Sequence, residues 1–195
     1  MEMAEDGTRY SLDRPILHAP GEVWTYSGGA VALIGRLIER GTGEPLDEFA
    51  RRTLFGPLGI DRFEWVRGLK GELSAASGLR LRLPDLAKIG RLILASGAWE
   101  GKRLVPAEWL EASFRPRGAP EGLRYGYLWW LSSRGDPPAW VAGFGNGGQR
   151  LTVQPGIELI VAVMAGNYNQ PDAWRIPVSI IEEFVAPAVR AREAK

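Results

Sequence analysis

The sequence predicts an α+β fold: a helical region, then an antiparallel sheet meander, then a C-terminal helix packed on that sheet. Three observations carry this prediction. Apolar residues recur at helical spacing in several stretches of the first two thirds of the chain. From Tyr125 the period shortens to two, and after Asn169 it lengthens again. The expected domain organisation follows: residues 1–120 form a mostly helical region carrying a tyrosine loop, and 121–195 hold the strands and the terminal helix.

The elements follow in order. Residues 1–22 are polar and turn-rich, ending at Ala19-Pro20-Gly21-Glu22. Ala30, Leu33, Ile34, Leu37 and Ile38 then mark a helix that Gly41 and Gly43 terminate. Pro45 suits the first turn of a second helix running to about Leu54, with Leu46, Phe49, Ala50 and Leu54 on one face. Residues 61–83 read as irregular, with a small-residue loop at Ser74-Ala75-Ala76-Ser77-Gly78. Pro84-Asp85 opens an amphipathic helix to Ala95, stopped by Gly97, and Pro106 begins a shorter one. Three strands are expected at about 125–132, 147–154 and 158–165, the last two joined by a tight Pro155-Gly156 hairpin. A helix over 173–192 closes the chain, with Trp174, Ile176, Ile180, Ile181, Phe184 and Val185 as its apolar face.

Bulk properties exclude more than they assign. A net charge of +1 gives no electrostatic basis for nucleic-acid binding. The chain has no cysteine, which removes disulfides, thiol catalysis and thiolate metal sites. One histidine, His18 beside a Pro-Gly turn, rules out a His-rich metal centre and reads as a solvated surface residue. No apolar run approaches the ~20 residues of a membrane span. The acidic start Met1-Glu2-Met3-Ala4-Glu5-Asp6 lacks the apolar stretch of a signal peptide, and the compartment stays open.

Two motifs carry chemistry. Phe144-Gly145-Asn146-Gly147-Gly148-Gln149 lies between an aromatic stretch and an apolar strand, and glycines there suit a backbone that something approaches closely. A β-turn or barrel corner explains the same glycines. Tyr26-Ser27-Gly28 sits at a loop-to-helix junction that can present a phenol into a cleft. A phenol near a lysine ammonium ionises more readily and can act as a general base. Trp24, Trp129 and Trp130 suit either a cleft for an apolar acyl group or the core.

These motifs belong to a longer collinear series. Pro20-Gly21-x-x-Trp24-x-Tyr26-Ser27 is followed by Thr42-Gly43-x-Pro45-Leu46 and Phe55-Gly56-Pro57-Leu58-Gly59-Ile60. Then come Ala75-Ala76-Ser77-Gly78-Leu79, Asp85-Leu86-Ala87-Lys88-Ile89-Gly90, Gly101-Lys102-Arg103-Leu104-Val105, Tyr125-Gly126-Tyr127-Leu128-Trp129-Trp130 and Gly145-Asn146-Gly147-Gly148-Gln149. The series resembles the β-lactamase-related serine hydrolases, which include class C β-lactamases, DD-peptidases, serine esterases and aminohexanoate-oligomer hydrolases. The resemblance implies a partial β-lactamase/transpeptidase-like fold and acyl transfer by a Ser-x-x-Lys nucleophile, a Tyr-x-Asn loop and a Lys/His-Thr/Ser-Gly strand edge.

Carried over by position, Tyr26 matches the general-base tyrosine, and Gly148 supplies an oxyanion-hole amide. Ser27, Gly28, Gly145, Asn146, Gly147 and Gln149 become candidate substrate contacts. Gly28 stands where Asn is usual, and Gly145-Asn146-Gly147 replaces the Lys/His-Thr/Ser-Gly triplet. Losing the cation at 145 points to an uncharged ester or amide. No serine has lysine three positions later: Lys70, Lys88, Lys102 and Lys195 are preceded at that spacing by Arg67, Asp85, Trp99 and Arg192. The chain therefore resembles the C-terminal part of such an enzyme, expected to be inactive alone.

A non-catalytic binding or scaffold module derived from the same family, or a structural remnant without activity, fits the missing nucleophile too. No metal or organic cofactor is expected, because this chemistry uses side chains. Expected partners are a small-molecule ester or amide and, through an exposed sheet edge, an N-terminal fragment or a second copy of the chain.

Overall fold

The computed structural model describes residues 7–118 and 122–193, so the acidic start lies outside the described residues, as does the expected boundary at 120/121. The chain forms two units, Met1–Arg82 and Leu83–Lys195.

The first unit begins with a short helix, α1 (Gly7–Leu12), where the sequence suggests only turns; it buries none of its residues. The helix α2 (Gly28–Thr42) has defined ends. Ser27, extended at φ −137°, accepts the Ala30 N–H on its hydroxyl at 3.2 Å. Gly43 takes the left-handed conformation and donates to the Glu39 carbonyl. Helix α3 (Leu46–Ala50) follows Pro45 and continues as a wider-wound π-helical turn over Arg51–Phe55. Leu46, Phe55, Leu58, Ile60 and Leu73 are buried.

The stretch read as irregular contains a two-stranded ribbon, β1 (Phe63–Trp65) against β2 (Leu79–Leu81). Three-residue strands are too short to leave a legible alternation. The Trp65 indole N–H lies within hydrogen-bonding distance of both the Ser74 and Ser77 carbonyls, at 3.0 and 2.9 Å, and holds the small-residue loop closed.

The second unit opens with α4 (Leu83–Leu94), then the ribbon β3 (Ala98–Trp99) and β4 (Lys102–Arg103), then α5 (Ala107–Ser113). Its antiparallel sheet has the order β5-β6-β7-β8-β9: β5 (Arg124–Tyr125), β6 (Trp130–Leu131), β7 (Val141–Gly145), β8 (Gln149–Gln154) and β9 (Leu159–Val163). The aromatic run expected as one strand is two, because the chain reverses between them with Leu128 at φ 64°. Strand β7 lies outside all three expected strands. The Pro155 turn joins β8 to β9 as expected, with Glu158 left-handed at its end.

Alternation along β8 sorts two cores. Leu151 and Val153 join Ile93, Leu131 and Val141 in an apolar cluster, with Ile89, Phe114, Trp129 and Ile160 packed against it. Gly90 lets α4 approach: a Cβ there would lie 2.5 Å from Ile160 Cγ2. On the other face Arg150, Thr152 and Gln154 are buried.

The C-terminal helix runs from α6 (Arg175–Ser179) through a π-helical segment (Ile180–Val185) into α7 (Ala186–Glu193). It buries Pro177, Ile181 and Ala186. Of its expected apolar face only Ile181 is buried; Trp174, Ile176, Ile180 and Phe184 are 55%, 59%, 40% and 66% exposed. The small residues let the helix sit close, so the large ones point away. No helix among the described residues is long and apolar enough to cross a membrane.

Candidate active site

The glycine motif is the hairpin connection between β7 and β8. Gly145 pairs with Gln149, leaving Asn146-Gly147-Gly148 to turn the chain. Gly147 and Gly148 have φ of 86° and 91°, a region side-chain-bearing residues rarely adopt. Space forbids a side chain as well. A Cβ at 147 would lie 2.8 Å from the Tyr168 ring, and one at 148 would lie 2.7 Å from the Ala173 carbonyl oxygen.

Five hydrogen bonds fasten this turn to residues 165–169. Asn146 Nδ2–H donates to Asn169 Oδ1 at 2.9 Å, and the Asn169 N–H returns to Asn146 Oδ1 at 2.9 Å. The Gln149 amide donates to the Ala165 carbonyl, while the Ala165 N–H donates to Gln149 Oε1 at 3.2 Å. The Asn167 N–H donates to the Gly147 carbonyl at 3.1 Å. Gly147 and Gly148 are buried, whereas Gly145 and Asn146 are exposed. The two side chains expected to meet substrate, Asn146 and Gln149, thus hold the turn in shape.

Behind the turn lies a cation among aromatic rings. Trp130 and Phe144 stack at 5.2 Å and 8°, and Tyr125 meets Trp130 edge-on at 5.0 Å. The Arg150 guanidinium sits 4.2 Å from the Phe144 centroid and 5.6 Å from that of Trp140. Its Nε–H donates to Thr152 Oγ1 at 2.9 Å. Burial pushes Arg150 down to about 10, partly opposed by the Glu182 carboxylate.

In the first unit Tyr26 is 62% exposed, its ring 6.5 Å from that of Trp24. The Ser27 hydroxyl is committed to capping α2. Gly28 begins the helix, where an added Cβ would meet only Ala76 Cβ at 3.9 Å. His18 is exposed. Trp129 packs into the apolar cluster and Trp130 into the aromatic stack. The residues that sequence reasoning missed are Ala165, Asn167, Tyr168 and Asn169. Asn167-Tyr168-Asn169 reads simply as the end of a sheet, although an Asn-x-Asn after a strand is also a signal for side chains that bridge backbone.

A family model described as Beta-lactamase matches residues 1–175. A search of curated proteins finds no match. A Bacillus anthracis protein provisionally described as a 6-aminohexanoate-dimer hydrolase superposes with a TM-score of 0.81 at 19% identity, covering 94% of this chain and 48% of that one. A mutant simvastatin synthase of Aspergillus terreus gives 0.73 at 15% identity, covering 95% of this chain and 60% of that one. An octameric penicillin-binding protein homologue of Pyrococcus abyssi gives 0.65 at 20%, covering 85% and 44%. Identities this low establish a shared fold, and this chain spans about half the length of these proteins.

Proposed function

The chain belongs to the Beta-lactamase family, and from that premise we propose that it is part of a serine hydrolase that transfers the acyl group of an uncharged ester or amide. The observation that carries the reading is the glycine turn, whose backbone is fixed both by conformation and by its fastening to residues 165–169. Oxyanion stabilisation needs an N–H that does not reorganise when negative charge develops on the substrate carbonyl oxygen, and such a turn is preorganised.

On this reading Gly148 N–H donates to the developing oxyanion. Tyr26 takes the proton of an attacking serine hydroxyl and returns it to the departing alcohol or amine. Water then hydrolyses the acyl-serine. Gly145, where the family carries a cation, leaves a substrate carboxylate without a partner, which favours a neutral acyl compound. Gly28 leaves room for a larger substrate group where the family places Asn. The sequence contains no Ser-x-x-Lys, so the nucleophile comes from outside this chain and the chain alone turns nothing over.

Labelling with a fluorophosphonate probe tests this. The chain by itself should stay unlabelled. The protein extended upstream to the first Ser-x-x-Lys of its reading frame should label on that serine, and Tyr26→Phe should slow labelling by about 10²-fold or more. Labelling of the isolated chain would overturn the assignment of the nucleophile. An extended protein that binds ester analogues without ever acylating would support the binding-module reading instead.

A further inference from the structure

At the end of the sheet remote from the glycine turn, the second unit contains a cavity of about 830 Å³, within the usual range for small-molecule sites. Strand β7 enters its lining at Val141 and reaches Gly145 four residues later, about 13 Å at ~3.3 Å per residue. The two sites are therefore separate places on one sheet.

The walls are apolar and aromatic, with Phe114, Trp140 and Pro137 among them. At the end of β8, Gln154 also lines the cavity and is only 7% exposed. Its side-chain amide has no hydrogen-bond partner among the described residues, unlike that of Gln149 at the start of the same strand. Among the described residues no fully enclosed side-chain nitrogen or oxygen lacks a partner. The Gln154 amide is therefore open to the cavity rather than sealed in the core. A nearly buried amide offering one unfilled acceptor and two unfilled donors is what a ligand's own amide would complete.

The charges around it refine the choice. Around it stand the acids Glu111, Asp136 and Glu182 and the bases Arg115 and Arg190, all exposed. A rim of mixed sign gives little reward to a net charge on the ligand.

We propose that this cavity is a second binding site, taking a small neutral ligand that joins an aromatic or alkyl body to an amide group. The amide pairs with Gln154 and the body lies against Trp140 and Phe114. The site is independent of the hydrolase reading and stands if that reading fails.

Benzamide is a suitable probe, titrated into the whole chain and followed by the NMR signals of the Gln154 side-chain amide and the Trp140 indole. Both signals should shift saturably, with a Kd of about 1 mM or tighter. Benzoate and benzylammonium should bind at least about fivefold more weakly. Gln154→Met, which keeps the length and removes the amide, should weaken benzamide by about fivefold or more. Absence of saturable shifts would overturn the proposal, as would equal binding of the three probes or unchanged binding by the variant. If that variant does not fold, the Gln154 amide signal and the probe series in the unsubstituted chain decide alone.

Discussion

Gly148 has little freedom to change. Alanine there would combine left-handed strain with a methyl 2.7 Å from the Ala173 carbonyl oxygen, so Gly148→Ala should cost about 2–4 kcal/mol in urea unfolding. Asn146→Ala removes two hydrogen bonds to Asn169 at an exposed position; a loss of about 1–2 kcal/mol is expected, with the NMR signals of 165–169 broadened. Gly28→Asn meets only an ordinary contact with Ala76 Cβ at 3.9 Å and should leave stability within about 0.5 kcal/mol. Arg150 supplies a pH signature. Its folded value of about 10 lies below the ordinary arginine range, so the unfolded chain holds the proton more tightly. The cost of burying the charge is full below about pH 10 and is relieved as pH rises above it. Stability of the natural chain relative to Arg150→Met should therefore rise between about pH 9 and 11, and a difference that stays flat would refute the assignment.

Among the elements, helices were the most legible. Leu86, Ile89, Leu92 and Ile93 keep helical spacing because one side of α4 meets the sheet, and its end is marked by Gly97 at φ 87°. The hairpin β8–β9 was legible too, through alternation and Pro155-Gly156. Strand β7 was not: Ala142, Gly143 and Gly145 give it little apolar bulk to alternate. Chain reversal at Leu128 was hidden inside a continuous aromatic run, since nothing in Tyr127-Leu128-Trp129 announces a turn. The terminal helix misled because close packing selected Pro177 and Ala186 over the larger side chains that dominate its pattern. At the candidate site, the glycines were legible as a close approach, but the fastening of Asn146 and Gln149 depends on partners 23 and 16 residues away. Close packing also makes α4 sensitive. Gly90→Ala gains about 1 kcal/mol of helix propensity but drives a methyl into the stiff, branched Ile160. A net loss of about 1–2 kcal/mol is expected by thermal or urea unfolding.

For the molecule as a whole, two features leave surface to cover. Strand β9 has β8 on one side and no strand on the other among the described residues. The terminal helix turns Ile176, Ile180 and Phe184 outward at four-residue intervals. The isolated chain should associate as its concentration rises, measured by sedimentation velocity, and Ile180→Lys with Phe184→Lys should weaken that association. A sharp, concentration-independent monomer would contradict it. The fastening of the glycine turn also sets an order in time. During synthesis the turn leaves the ribosome before Ala165, Asn167 and Asn169 emerge to hold it. At 5–20 residues per second, its last partner follows about 1–5 s after Asn146. The backbone of the glycine turn therefore cannot reach its final shape as a local hairpin; it matures only when β9 has returned alongside β8. A nascent chain stalled short of residue 165 would carry every glycine of the motif and none of its rigidity.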